Sequence, residues 1–239
     1  MPAERSRRPD GGPVAAVVGA TGGLGSAIAR ELARRGYRLV LAGRDRSALE
    51  ALTGELAGSL AVVVDVRGPD AGDHLVAALA EGPGRLDVLV NAAGVVAFGT
   101  LAETPDIVIE ELFLTNVIGP LWLLRRCLPM LQESGGTVVH LSAVVAERPM
   151  AGMAPYSATK AALTAADAAL AIELRRVGVR VLDVRPPHTE TGLAGQPLHG
   201  QTPRLPPGLD PPHVAHAVAD AVADPRRTTL AASELTPPA

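Results

Sequence analysis

The chain has 239 residues, 47% of them hydrophobic and 20% charged, with a formal net charge of −3. That length suits one sizeable domain with a sheet covered on both faces. The charge balance leaves no basic footprint, and the arginines are scattered rather than gathered into a stripe, so nucleic acid is not expected as a partner. Aromatic residues make up only 2%, so the core must be built from Ala, Val and Leu through close element contacts.

In chain order, residues 1–12, within "MPAERSRRPDGGP", are polar and broken by prolines, which predicts a disordered tail and no signal peptide. A single domain over 13–239 is expected to follow. Short apolar runs begin at Val14, Arg38, Leu60, Leu86, Gly136 and Val179, and each precedes a longer segment of helical character. Runs apolar on both pleat faces, alternating with helices, predict a parallel sheet with right-handed crossovers: an α/β, Rossmann-like, doubly wound domain with helices on both faces. The spacing predicts helices over 24–35, over 106–131 with a bend near Gly119-Pro120, over 155–176, and over about 212–223 before a last strand near 228–231. Between Pro186 and Pro212 lie eight prolines and no periodicity. A stretch of that length is a lid or binding loop, or else disordered, and 187–211 is read as the substrate-binding loop.

No run approaches the ~18 apolar residues of a membrane span, so no membrane association is expected. One cysteine, Cys127, reads as a small buried hydrophobe in a reducing compartment, and the expected location is cytoplasmic. The long Ala-rich helices point to a homodimer or homotetramer. No metal is expected.

The first strand runs into "GATGGLG", Gly19 to Gly25, directly before a helix. A tight glycine turn there presents unpaired N–H groups and the positive end of a helix to an anion, with Gly19, Thr21, Gly22, Gly23, Leu24 and Gly25 in the loop. "DV" at Asp65-Val66 ends the third strand, "NAAG" at Asn91 to Gly94 ends the fourth, Asn116 lies in the long helix, and "YSATK" opens the next. Tyr156 and Lys160 are four residues apart on a helix, so they share a face. An ammonium there favours the ionised phenol, bringing its ordinary pKa of ~10 nearer to neutral. Lys160 is the only lysine in the chain, and Asn91 and Asn116 are its only asparagines.

With the glycine spacing GxxxGxG and these motifs in this order from about Val14 to Thr191, the chain resembles the short-chain dehydrogenase/reductase family. The resemblance implies hydride transfer between a nicotinamide cofactor and the carbonyl or alcohol carbon of a small organic substrate, with Tyr156 giving or taking the proton. It also implies that Lys160 grips the nicotinamide ribose and Asn116 helps hold a water. Asp65 would approach the adenine, while Val66, Asn91, Ala92 and Gly94 would line the groove. At the end of the second strand, Gly43 stands where an acid would bind a ribose, and Arg44 follows; this favours NADP(H) over NAD(H), the competing reading of Arg44 being a solvated loop residue.

Two departures qualify the resemblance. The family usually carries a serine thirteen residues before the tyrosine, where this chain has Ala143. Either Ser142 points to the opposite side and one donor is missing, or a one-residue shift brings Ser142 to the reacting oxygen. After the sixth strand, "RPPHTETGL" has Pro187 where the family has glycine, although Pro186, Thr189 and Thr191 match the residues that hold the carboxamide. His188 is read as a surface residue, with a donor role as the alternative. These departures keep two other functions open: a cofactor-binding sensor or partner subunit with little redox activity, and an isomerase or dehydratase on the same fold.

Overall fold

A computed structural model describes residues 11–236. Most of the expected tail, residues 1–10, lies outside the described residues. Seven parallel strands form one sheet: β1 (Val14–Val18), β2 (Arg38–Gly43), β3 (Leu60–Val63), β4 (Val88–Asn91), β5 (Thr137–Leu141), β6 (Arg180–Val184) and β7 (Thr229–Leu230). Their order is β3-β2-β1-β4-β5-β6-β7, so the direction of winding reverses between β1 and β4. In open α/β sheets ligands bind outside the carboxyl ends of the strands at such a reversal.

Both faces are covered, as expected. Ala15, Val17, Val90 and Leu182 pack with helices α1 (Gly23–Arg34) and α7 (Pro211–Ala223) on one side. Ala16, Leu89, Val138 and Val181 pack on the other with α3 (Ala71–Glu81), α5 (Gly119–Ser134) and α6 (Ala154–Arg175). Helices α2 (Arg46–Glu55) and α3 fill the helical segments expected after the second and third runs, for which the sequence reading gave no bounds, and the one-turn α8 (Ala232–Leu235) has no counterpart in it. The third strand stops at Val63, two residues before Asp65.

The expected bend near Gly119-Pro120 takes a defined form. Helix α4 (Asp106–Phe113) passes through a π-helical turn, Leu114–Ile118, into α5. Proline has no N–H, so Pro120 cannot donate to the carbonyl of Asn116 four residues back, and the Gly119 N–H reaches Leu114 O instead. A β-carbon on Gly119 would lie 2.4 Å from Val66 O, so only glycine lets this turn approach the end of the third strand.

One expectation is corrected: by length and composition, Asp106–Ser134 could cross a membrane. In the structure this stretch flanks the sheet, with Leu112, Leu123, Leu124, Cys127 and Leu131 buried.

Candidate active site

The turn between β1 and α1 lies at the reversal. Gly19 has φ +75°, and a β-carbon there would sit 2.5 Å from the Ala93 nitrogen. The helix it leads into starts at Gly23 with no side chain capping it and no acid in its first turn. Its first N–H groups and positive end therefore stay available to an anion. Thr191 closes this end, since a β-carbon on Gly23 would lie 2.5 Å from Thr191 O. At the end of β4, Asn91 is buried with neither amide atom partnered. A buried amide of that kind is waiting for a polar partner. The bare helix end, the glycine approach and the orphan amide fit a nicotinamide dinucleotide.

At the adenine end, Arg44 is exposed after β2 and enters no ion pair among the described residues. Asp45 accepts the Ala48 N–H at 3.0 Å and caps α2. Asp65 is held by its neighbour: Arg67 donates to it from Nε at 3.0 Å and Nη2 at 2.5 Å, and Nη1 of the same guanidinium meets Glu111 at 2.6 Å. The hydrogen bonds from Arg67 hold the Asp65 carboxyl below its usual range. Arg67 was not singled out in the sequence; an arginine two residues after an aspartate is the only signal it carries.

The other expected residues converge beyond β4 and β5. The Asn116 side chain accepts the Val95 N–H at 2.9 Å and donates to Val95 O at 2.9 Å and to Thr159 Oγ1 at 3.1 Å. The π turn thus places a carboxamide that clamps the segment after "NAAG". Lys160 Nζ donates to Leu141 O at 2.8 Å and lies 5.8 Å from the centre of the Tyr156 ring. A methyl group added to Gly94 would lie 3.4 Å from Asn116 Oδ1 and 3.6 Å from Lys160 Nζ, so this glycine floors the space that they border.

Burial decides the ionisation here. Tyr156 is 7% exposed and Lys160 5%. Desolvation pushes the phenol up to about 12 and the ammonium down to about 8. The expected lowering of the phenol by its cation is therefore outweighed in the structure: losing water disfavours the phenolate more than the ammonium favours it. At neutral pH the phenol holds its proton and can give it to an oxygen placed against it.

The shift that would bring Ser142 to the reaction centre does not occur. Its hydroxyl donates to Asp183 Oδ1 and lies 3.1 Å from Val184 O, so it is engaged by β6. Ala143 instead packs with Tyr156, Val96, Val145 and Met153. Both residues follow Leu141, the last residue of β5, and the chain there brings the methyl of Ala143, not the hydroxyl of Ser142, into the Tyr156 cluster.

The long segment from Pro187 is ordered by backbone contacts. Thr189 pairs with Leu209, and Thr189 Oγ1 donates to Pro187 O at 3.0 Å. Farther on, the Leu198 N–H meets Val96 O at 2.8 Å and the Phe98 N–H meets His199 O at 2.9 Å. The segment is thereby tied to the wall that carries Asn116 and Val95. His188 lies 3.4 Å from Glu190.

Comparison with known proteins agrees with this geometry. The family profile described as short chain dehydrogenase matches residues 13–201. A serine 3-dehydrogenase of Agrobacterium fabrum is 36% identical over 179 residues, 73% of this chain and 71% of that protein. Among solved structures, an alcohol dehydrogenase from the archaeon Thermococcus sibiricus, complexed with 5-hydroxy-NADP, is similar at TM-score 0.82 and 28% identity, covering 95% of this chain and 99% of that one. A 3-ketoacyl-(acyl-carrier-protein) reductase from Brucella melitensis, complexed with NADH, is similar at TM-score 0.82 and 26% identity, covering 92% and 96%.

Proposed function

The chain belongs to the short-chain dehydrogenase family, oxidoreductases whose fold binds a nicotinamide cofactor, and within it we propose an NADP(H)-dependent reductase of carbonyl groups on small organic molecules. The observation that carries this reading is the meeting of Asn116 and Lys160 over Gly94, with the Tyr156 ring 5.8 Å from the ammonium. When bound, the nicotinamide supplies or accepts the hydride. The glycine turn and Thr191 would hold the pyrophosphate, Asn91 and Gly94 would line the groove, and Pro186, Thr189 and Thr191 would border the carboxamide. Tyr156, protonated at neutral pH, gives its proton to the carbonyl oxygen as negative charge develops there, and this favours reduction over oxidation.

The preference for NADP(H) rests on Arg44, exposed and without a protein partner where a 2′-phosphate would lie. The segment 187–211 forms the substrate loop of a single domain. The exposed apolar side chains of Trp122 on α5 and Ile172 on α6 support a homo-oligomer built through these helices, which light scattering would test. The buried Cys127 suits a reducing, cytoplasmic setting.

One observation favours a second reading, a cofactor-binding protein with weak redox activity: the position beside Tyr156 carries Ala143 and no hydroxyl. NADPH oxidation against a panel of ketones separates the two. Turnover that falls about 100-fold or more in Tyr156→Phe supports the reductase; tight NADPH binding with no turnover, or turnover indifferent to Tyr156→Phe, sinks it.

A further inference from the structure

Behind the site lies a set of buried charges that the proposed chemistry does not use. Asp183, on β6, stands beside His140 in the register of the sheet and is 3% exposed. A charged residue so placed needs partners, and it has two. One oxygen accepts from the Ser142 hydroxyl, and the other accepts Arg185 Nε at 2.7 Å. Arg185 in turn reaches Glu147 at the surface. Lys160 enters from α6 onto the carbonyl of Leu141, the residue before Ser142. Leu141 pairs with Val184, the residue after Asp183, so the buried ammonium ends on the rung of the sheet next to the one that carries the buried carboxylate.

We propose that Asp183 is a positioning residue: its carboxylate, fixed by Ser142 and Arg185, is the counter-charge that keeps Lys160 a cation beside Tyr156. This rests on the reading that Lys160 works with Tyr156. The other charges around α6 are already engaged. Asp167, on the same helix, pairs with His140 at 2.5 Å; Glu147, beyond the turn at 144–146, pairs with Arg185; Glu111 on α4 pairs with Arg67. Asn116, on the π turn, is neutral. Burial pulls Lys160 down to about 8, and Asp183 opposes that pull. Without it, a large share of the molecules would lose the ammonium at neutral pH. Ser142 acquires a role in this arrangement, as the donor that fixes the carboxylate rather than the substrate.

The single lysine makes the test direct. Protein labelled with [ε-13C]lysine gives one lysine resonance, and its chemical shift against pH reports the ionisation of Lys160 without any turnover. The wild-type midpoint is expected near 8, and Asp183→Asn should lower it by about one unit, a tenfold change. Arg185→Gln should raise it, because the carboxylate then acts on Lys160 without the guanidinium beside it. A merely structural role would not move the two variants in opposite directions. In ketone reduction, the pH at which the rate falls should move with the midpoint in each variant. An unmoved midpoint in Asp183→Asn overturns the proposal. If that variant does not fold, Arg185→Gln decides, and an unmoved or lowered midpoint overturns it. Absence of Tyr156-dependent turnover in the wild type would sink the reductase reading alone, since the lysine titration is read without substrate.

Discussion

Restoring a hydroxyl at residue 143 should make the enzyme faster and less stable. Ala143 packs against Tyr156, whereas the Ser142 hydroxyl is engaged by Asp183. In Ala143→Ser, the new oxygen would sit among Val96, Val145 and Met153, with a substrate oxygen as its partner only during turnover. A donor that meets developing negative charge in such a site is worth about 10- to 100-fold in rate, or roughly 1.4 to 3 kcal/mol. Without substrate, an unpartnered buried hydroxyl costs about 1–3 kcal/mol, lowering Tm by several degrees in a chain of this size. Ser142→Ala should behave in the opposite way. Asp183 loses a donor, so stability falls by about 1–3 kcal/mol, while kcat/KM at the optimal pH changes by less than about fivefold, well short of the loss expected for a donor to the transition state. Thermal melts and kcat/KM for one ketone at saturating NADPH measure both quantities. A ~100-fold rate loss in Ser142→Ala with unchanged Tm, and no gain in Ala143→Ser, would make Ser142 the substrate donor and refute the placement.

Arg44→Ala should raise the KM for NADPH about tenfold or more, the worth of hydrogen bonds to a charged group, while leaving that for NADH within about twofold; an equal rise for both would remove the case for a 2′-phosphate contact. Asp167→Ala leaves His140 buried without its partner and should cost about 3 kcal/mol, roughly 6–12 °C in Tm, seen in a thermal melt; an unchanged melt would show that the pair contributes nothing. Lys160→Met should stabilise the protein at pH 7. The folded pKa of Lys160, about 8, lies below the ordinary 10.5, so the unfolded chain binds more protons between those values and wild-type stability rises with pH across that window. The gain at pH 7 is about 3 kcal/mol at most, and it should shrink as pH approaches 10.5. Urea unfolding at pH 7 and pH 10 checks the sign, and a gap that widens with pH would contradict it.

The sheet and the glycine turn at its reversal were legible because their signals are local. A strand buried on both faces is apolar throughout, and a glycine turn before a helix needs glycines at fixed offsets. The features missed or mistaken depend on neighbours distant in the chain. Whether Ser142 or Ala143 meets the substrate turns on the pleat at one strand end, and a single residue of slippage reverses the answer. The path of the loop after Pro187 is set by backbone bonds from Leu198 and His199 to Val96 and Phe98, which leave no pattern in side-chain types. Asp183 did leave a trace: an acid inside the apolar run "VLDV" is a buried charge by position and had to find partners.

Tyr156 and Lys160 show why adjacency along a helix was too little to fix their chemistry. Four-residue spacing brings a phenol and an ammonium together, and on an exposed helix the cation would govern. Enclosed by β5, β6 and the π turn, both groups are pushed toward their neutral forms. A protonated phenol is the useful form for delivering a proton to a carbonyl, so burial prepares Tyr156 for reduction. A neutral amine would leave the developing phenolate without a cation, so the same burial works against Lys160. The conflict is resolved by a charge from a third element: Asp183 supports the ammonium, and a carboxylate does not favour ionisation of the phenol, so Tyr156 stays protonated. An arginine at 160 would keep its charge without such help, but its broad fork would have to fit where Lys160 ends on one carbonyl, beside Gly94. The compact ammonium therefore depends on its carboxylate in a way an arginine would not, which ties the one lysine of this chain to the buried aspartate behind it.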